Sequence, residues 1–257
     1  MSRRWAALLA GVALLGAGCG GGGPDAQDVL EQTASNLGRI QGGTLGMKLL
    51  VTPQDGSPPF GFELHGPFRL RRAGLPVTRM AYTQIANGHR ATATLVSDGA
   101  HAYVESAGRR QELSADQART LEQAGSQLRS AGGAGRLAIG SWIKDAKASD
   151  GGRVGGADTD KVTAQLDVVE AVDGLLSFAR LSGRDVRQLS AADKKRLEDA
   201  VRSTSFVLYS GKKDRLLRKL DMTVDLGFDV PPDLKAALGN LVGAKAELEL
   251  DVSNPRT

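Results

Sequence analysis

Residues 244–252, with the sequence AKAELELDV, alternate strictly between apolar and charged side chains. A period of two places the apolar side chains on one face of an extended strand and the charged ones on the other. Residues 216–226, LLRKLDMTVDL, alternate in the same way, with Leu220, Met222 and Val224 on one side. Strict alternation is typical of an antiparallel sheet that has one wet face and one covered face.

The same pattern extends through most of the chain. Residues 45–51 alternate again, with Leu45, Met47, Leu49 and Val51 as the apolar members. Turn clusters rich in Gly, Pro, Asp and Ser separate further extended segments, which we predict at 60–70, 76–86, 89–96, 100–106, 160–168 and 204–210.

Helical periodicity interrupts the strands at several points. Asp25 is a predicted cap for a first helix that ends near Gly38, and the Ser114/Gln117 pair predicts a capping box for a second helix at 115–130. Further helices are predicted at 169–181, at 191–202 after a Ser190 cap, and from Pro231 to Leu241. We interpret residues 150–158 as a polar loop and 132–135 as a glycine break.

These elements predict an α+β fold. Its sheet is mostly antiparallel and strongly curved, and helices cover one of its faces. Hydrophobic residues make up 41% and charged residues 24% of the 257-residue chain, which excludes a disordered chain, a collagen and a multi-span membrane protein. We predict one folded domain, residues 25–257.

The N-terminus has the features of an export signal. Arg3 and Arg4 precede an apolar run of eleven residues, 5–15, which is shorter than the roughly 20 residues that a spanning helix needs. We predict a signal peptide at 1–18; general secretion and twin-arginine export both remain open as routes. Removal of the two arginines leaves 31 basic residues against 29 acidic ones, which argues against a nucleic-acid partner.

Cys19, the single cysteine, follows Gly16, Ala17 and Gly18. This arrangement resembles a bacterial lipobox, although Gly16 stands where leucine is usual. The resemblance implies that the Cys19 thiol carries a diacylglyceryl group, and residues 19–24 would then be a lipidated cysteine with a glycine-rich tether.

The order of elements resembles a known family. After the lipobox come a short helix, a run of strands, a Ser97-Asp98-Gly99 turn before residues 101–104, a segment containing Trp142, a Gly155-Gly156 loop, and a strand that ends at 166–168. This order is similar to that of the mycobacterial LppX/LprAFG lipoproteins, which are related in fold to the LolA/LolB carriers. The resemblance implies a non-enzymatic carrier or chaperone, anchored on the extracytoplasmic face of the cell membrane.

The resemblance further implies a half-barrel sheet whose concave face, covered by helices, forms an apolar cavity for the acyl chains of lipids or glycolipids. It leaves open an envelope transporter as a second partner. The sequence has no motif for a cofactor or a metal, and we predict neither. Because the family has no fixed cavity motif, we nominate lipid-binding residues by alternation alone: Met47, Leu49, Met80, Tyr82, Leu220, Met222, Val224, Leu248 and Leu250. Each could equally be ordinary core. If the cavity is filled, the alternative is a scaffold or interaction lipoprotein at the cell surface.

Other chemistry has weaker support. The three histidines, His65, His89 and His101, belong to no hydrolase motif, so an envelope hydrolase would need one of them beside Ser or Asp in a cleft. Asp150, Asp158 and Asp160 lack EF-hand spacing, and a solvated loop is the better interpretation. The basic run at 212–219 suggests either lipid headgroup contact or, as we prefer, a charged turn that protects an edge.

Overall fold

A computed structural model describes residues 24–129, 139–173, 188–227 and 243–257. The predicted signal peptide, Cys19, the glycine break at 132–135 and the helix at 231–241 lie outside these residues.

In the described parts of the chain, eleven antiparallel strands form one open sheet in the order β6-β5-β4-β3-β2-β1-β11-β10-β9-β8-β7. The first half contains β1 (Gly42–Pro53), β2 (Phe60–Arg69), β3 (Val77–Ala86), β4 (His89–Asp98), β5 (Ala102–Ser106) and β6 (Arg109–Glu112). The second contains β7 (Ile143–Val154), β8 (Ala157–Leu166), β9 (Val201–Gly211), β10 (Leu217–Gly227) and β11 (Gly243–Arg256). Since β6 and β7 are both edges, the sheet does not close, and the predicted α+β class is confirmed.

Among the described residues, the sheet is accompanied by the α-helices α1 (Ala26–Asn36), α2 (Ala115–Arg129) and α3 (Ala191–Ala200). Their predicted caps are confirmed. The Asp25 carboxylate accepts hydrogen bonds from two backbone N–H groups of α1, Ser114 and Gln117 bond reciprocally, and Ser190 forms a capping box with Asp193. Residues 168–173 are also helical. Within the described ranges, no helix has the length and apolar composition that crossing a bilayer requires.

The main core lies between α1 and the β8–β10 part of the sheet. Val29 and Leu30 of α1 are buried in one cluster with Val162, Phe206 and Leu208. A smaller cluster joins Ile40, Leu216 and Val252 at the end of the sheet where β1 begins. Helix α1 therefore covers one half of one sheet face.

Two sequence predictions were wrong in detail. Residues 150–158, predicted as a polar loop, contain the end of β7, a turn at Gly155-Gly156 and the start of β8. Strand β9 begins at Val201 rather than 204, because α3 ends at Ala200 and the chain turns directly into the sheet. Strand β6 was not predicted, since all four of its residues are exposed and carry no apolar alternation.

Candidate functional site

An unbroken apolar row crosses nine of the eleven strands. Side chains of directly paired residues in an antiparallel sheet lie on the same face, and the pairing joins Ala93, Tyr82, Leu64, Met47, Leu250, Leu220, Leu208, Val162 and Ala148 in that order. We call the sheet face that carries this row the apolar face.

A second row runs beside the first. It contains Gln84, Phe62, Leu49, Leu248, Met222, Phe206 and Ala164, and only Gln84 is polar. Met80, paired with Leu95, and Val224, paired with Thr204, belong to flanking rows of the same face. All nine nominated residues therefore share the apolar face, although the nomination used only alternation within single strands.

The nine residues differ in what covers them. Leu220, Met222, Val224 and Leu250 pack against the main core cluster beneath α1. Met47, Leu49 and Leu248 are half-buried and belong to neither core cluster, and Met80 is buried. Tyr82 is 42% exposed. The apolar face thus has a packed half on β7–β10 and a more open half on β1–β4, while a lipid-binding role for the nine residues stays a prediction.

Three aromatic side chains lie on the open half. Phe60 is 49% exposed at the start of β2, and the rings of Phe62 and Tyr82 stack with their centroids 5.9 Å apart. Large exposed aromatic side chains that share one face provide apolar contact area for a ligand. Phe60 and Phe62 were not nominated; the pairing of β2 with β1 could have identified them, but strand pairing is not visible in the local pattern.

The opposite face of the sheet, which we call the polar face, carries charged pairs. Lys48 lies 3.4 Å from Glu249 across β1 and β11, and Lys219 lies 2.8 Å from Asp221 within β10. The hydrogen bond to Asp221 raises the pKa of Lys219 above its ordinary value. The sheet is therefore apolar on one side and charged on the other, as the alternation predicts.

The basic run at 212–219 is largely neutralised by neighbouring carboxylates. Lys212 lies 3.1 Å from Asp150, Arg215 pairs with Asp160, Arg218 with Asp214, and Lys219 with Asp221. A buried hydrogen bond of 2.7 Å between the Thr33 and Ser210 hydroxyls ties α1 to the same end of β9. These contacts favour the structural interpretation of the run over headgroup binding.

The residues considered for other chemistry are dispersed. Asp150 accepts a hydrogen bond from the Gly152 N–H, which together with Lys212 holds its pKa below the ordinary range, and Asp160 pairs with Arg215. No group of three metal-ligating side chains occurs among the described residues. His101 lies 3.9 Å from Asp98, but its side chain is 80% exposed, and His65 and His89 are also exposed. None of the three histidines therefore lies in a cleft.

Comparison with known proteins gives matches among solved structures alone. No family model and no curated protein matches the chain. LprF from Mycobacterium bovis is 11% identical, with 91% of this chain and 95% of that chain covered, at a TM-score of 0.47. The Mycobacterium tuberculosis lipoprotein LppX is 10% identical, with 90% and 97% covered, at a TM-score of 0.39.

A LolA superfamily protein from Nitrosomonas europaea is also similar, with 10% identity, coverage of 91% and 94%, and a TM-score of 0.20. LprF and LppX carry names used for the resemblance that the sequence analysis describes. The fold stands on the strand pairing described above.

Proposed function

We propose that this protein is a membrane-anchored lipoprotein that binds acyl chains of lipids or glycolipids and acts as a carrier or chaperone in the cell envelope. The observation that supports the proposal most directly is the nine-strand apolar row, whose β1–β4 half includes exposed aromatic side chains. In the proposed arrangement residues 1–18 are removed, Cys19 is acylated, and the domain at 25–257 is held close to the membrane.

The energetics of an aliphatic surface suit a carrier. An acyl chain of about 16 carbons gains about 12 kcal/mol on leaving water, at about 0.8 kcal/mol per methylene. Moved from a bilayer to an apolar protein surface, the same chain gains close to nothing. Lipid can therefore be loaded and released without a chemical fuel, provided that the apolar face shields the chain from water during transfer.

The proposal is tested with the full-length chain, first by mass spectrometry of lipids that copurify with it and then by titration with a fluorescent fatty acid. Tyr82→Glu places a carboxylate on the open half of the apolar face, where an acyl chain would have to desolvate it. We expect at least about a tenfold weaker affinity. Because Tyr82 is 42% exposed, the fold should tolerate this change.

Tyr103→Glu is the matched control. Tyr103 pairs with Val96, which alternation places on the polar face, and its ring lies under the Arg110 guanidinium. The control should bind the fatty acid with unchanged affinity. Two results contradict the proposal. One is an equal loss of fatty-acid affinity in the Tyr82→Glu and Tyr103→Glu variants. The other is an unmodified chain that neither copurifies with lipid nor binds the fatty acid.

The alternative function, a surface scaffold lipoprotein with a filled interior, has one observation in its favour. Leu220, Met222, Val224 and Leu250 pack against the core beneath α1 and so contribute to stability. A scaffold would copurify with a protein partner and without lipid, whereas a carrier would copurify with lipid. The same mass-spectrometry experiment therefore separates the two functions.

A further inference from the structure

A second surface feature lies at the end of the sheet where β1 and β3 begin and where β2 and β11 end. A depression of about 400 Å³ there is lined by three arginines, Arg69, Arg79 and Arg256, with Thr44 and Asn254 among the other lining residues. No aspartate or glutamate lines it. None of the nine nominated lipid-binding residues lines it either, so it is distinct from the predicted lipid-binding set.

The strand pairing brings two of the arginines to the same end of the sheet. Arg69 of β2 and Arg256 of β11 stand on either side of Gly42 in β1. With strands about 4.8 Å apart, their Cα atoms are separated by about 10 Å. Gly42 places no side chain between the two arginines. Two guanidinium groups that flank a single strand in this way can converge on one small anion.

Neighbouring carboxylates do not neutralise this site. Among the described residues, the side chains of Arg69 and Arg256 make no ion pair and no hydrogen bond. Arg79 donates to Glu105 at 3.0 Å through one nitrogen, which leaves other N–H groups of its guanidinium free. The Asp98 carboxylate, at the end of β4, accepts from the backbone N–H groups of Ala100 and His101.

The basic run at 212–219 differs from the depression in how its charges are paired. There, Lys212, Arg215, Arg218 and Lys219 each have a carboxylate partner. In the depression, Arg69 and Arg256 are exposed and direct their charge to solvent. Among the described residues of the basic run, Lys213 alone has no carboxylate partner, whereas Arg69 and Arg256 both lack one. The three-arginine depression therefore offers more unpaired charge to an anionic ligand than the basic run does.

We propose that the three-arginine depression binds a phosphate ester. The planar guanidinium donates two parallel N–H groups that match the oxygens of a phosphate, and such charge-assisted pairs are stronger than neutral hydrogen bonds. The Thr44 hydroxyl, in the same wall, can donate a further bond. A phospholipid headgroup and a soluble phosphate monoester present the same oxygens, and the site does not depend on acyl-chain binding by the apolar face.

The test uses the full-length chain in nonionic detergent and isothermal titration calorimetry. One arm titrates sn-glycerol 3-phosphate, and the other titrates micelles that contain phosphatidylglycerol. The site variant is Arg69→Gln/Arg256→Gln. The control variant, Arg90→Gln/Arg119→Gln, removes the same charge from two exposed arginines that are paired with Glu63 and Asp116 away from the site.

We expect the unmodified chain to bind at least one of the two ligands, and the site variant to bind it at least about tenfold more weakly. The control variant should stay within about twofold of the unmodified chain. If the site variant loses affinity only for phosphatidylglycerol micelles, the ligand is a lipid headgroup. If it loses affinity only for sn-glycerol 3-phosphate, the ligand is a soluble phosphate ester. Thermal unfolding of both variants checks that the fold is retained.

Two results overturn the proposal. One is the absence of binding to either ligand by the unmodified chain. The other is an equal loss of affinity in the two double variants, which would mean that the net charge of the protein, and not the depression, determines binding. Neither result affects the fatty-acid titration of the Tyr82→Glu variant, so failure of this site and failure of the proposed carrier function remain distinguishable.

Discussion

Phe206 is the largest side chain that the described residues enclose completely, with 1% of its surface exposed. It lies on the apolar face between Met222 and Ala164, beneath α1. Truncation to alanine should lower the free energy of unfolding by about 3–5 kcal/mol, since it removes buried apolar surface and leaves a cavity. Urea unfolding measures the loss. Phe60→Ala, at a half-exposed position, should change stability by less than about 1 kcal/mol. Similar losses of stability in the two variants would contradict the conclusion that Phe206 lies in the packed half of the apolar face.

Asp167 is a residue whose charge should couple stability to pH. Burial raises its pKa, but hydrogen bonds from the Lys144 ammonium and the Glu170 N–H outweigh burial and hold the pKa below 3.8. The unfolded chain therefore binds the proton more tightly, so the carboxylate stabilises the fold above about pH 4, and this contribution is lost as the pH falls through the lowered pKa.

The test of this coupling is denaturant unfolding of Asp167→Asn between pH 7 and pH 2. The variant should be less stable at pH 7 by about 1 kcal/mol, because one charge-assisted bond is lost, and its stability should fall less steeply in acid. Lys144→Gln should reduce the same acid slope, since it removes the ammonium partner at 2.6 Å. Parallel pH profiles for the unmodified chain and Asp167→Asn would contradict this account.

Residue-level predictions from the sequence were confirmed where the partners are close in the chain. Asp25, Ser114 and Ser190 each contact backbone N–H groups two or three residues away, so residue type and spacing were sufficient. The three-arginine depression could not be predicted in this way. Arg69 and Arg256 come together only because both pair with Gly42 from opposite sides.

At the scale of single elements, Gly66 determines how closely β2 and β3 approach. A Cβ atom at this position would lie 2.1 Å from the Arg79 carbonyl oxygen, so the neighbouring backbone would have to move. Gly66→Ala should cost about 3 kcal/mol of stability. Gly88→Ala is the comparison: a Cβ there meets nothing within 4 Å, and only its φ of +74° is unfavourable, at about 1 kcal/mol. Equal melting temperatures for the two variants would contradict this interpretation.

The two edges of the sheet are both poor templates for a further strand. Strand β6 has only four residues, all exposed, and three of them are charged. Strand β7 shifts register at two points, near Asp145 and Gly152, both of which have positive φ. Short charged strands and bulges discourage pairing with another chain. The open sheet therefore avoids edge-to-edge association without closing into a barrel.

The β7–β8 hairpin shows why local patterns fail for some elements. Its aspartates and glycines predicted a loop, because these residue types are typical of turns and loops. In the fold, Asp150 is paired with Lys212 and Asp160 with Arg215, both from the β9–β10 turn. Partners more than fifty residues away allow polar residues to continue a strand. Strands β10 and β11 could be predicted without knowledge of such partners, because their apolar and charged residues alternate.

At the scale of the whole molecule, the proposed acyl anchor on Cys19 predicts where the protein resides. Cys19→Ser should transfer the protein from the membrane fraction to the soluble fraction of cells, since two acyl chains hold a protein firmly and none would remain. Incorporation of labelled palmitate should be lost at the same time. Gly22→Ser, which keeps the thiol, should leave both readouts unchanged. A variant at Cys19 that stays in the membrane and still incorporates label would refute acylation at this residue.

The pairing of β1 with β11 also constrains how the molecule is assembled. These strands join the two halves of the sheet, yet their contacting residues, such as Lys48 and Glu249, are 201 positions apart. Closing so large a loop is slow, and the centre of the sheet stays incomplete until β11 has been synthesised. For the proposed exported protein, a chain that completes its sheet only after β11 can still be threaded through a channel, which favours general secretion over the twin-arginine route.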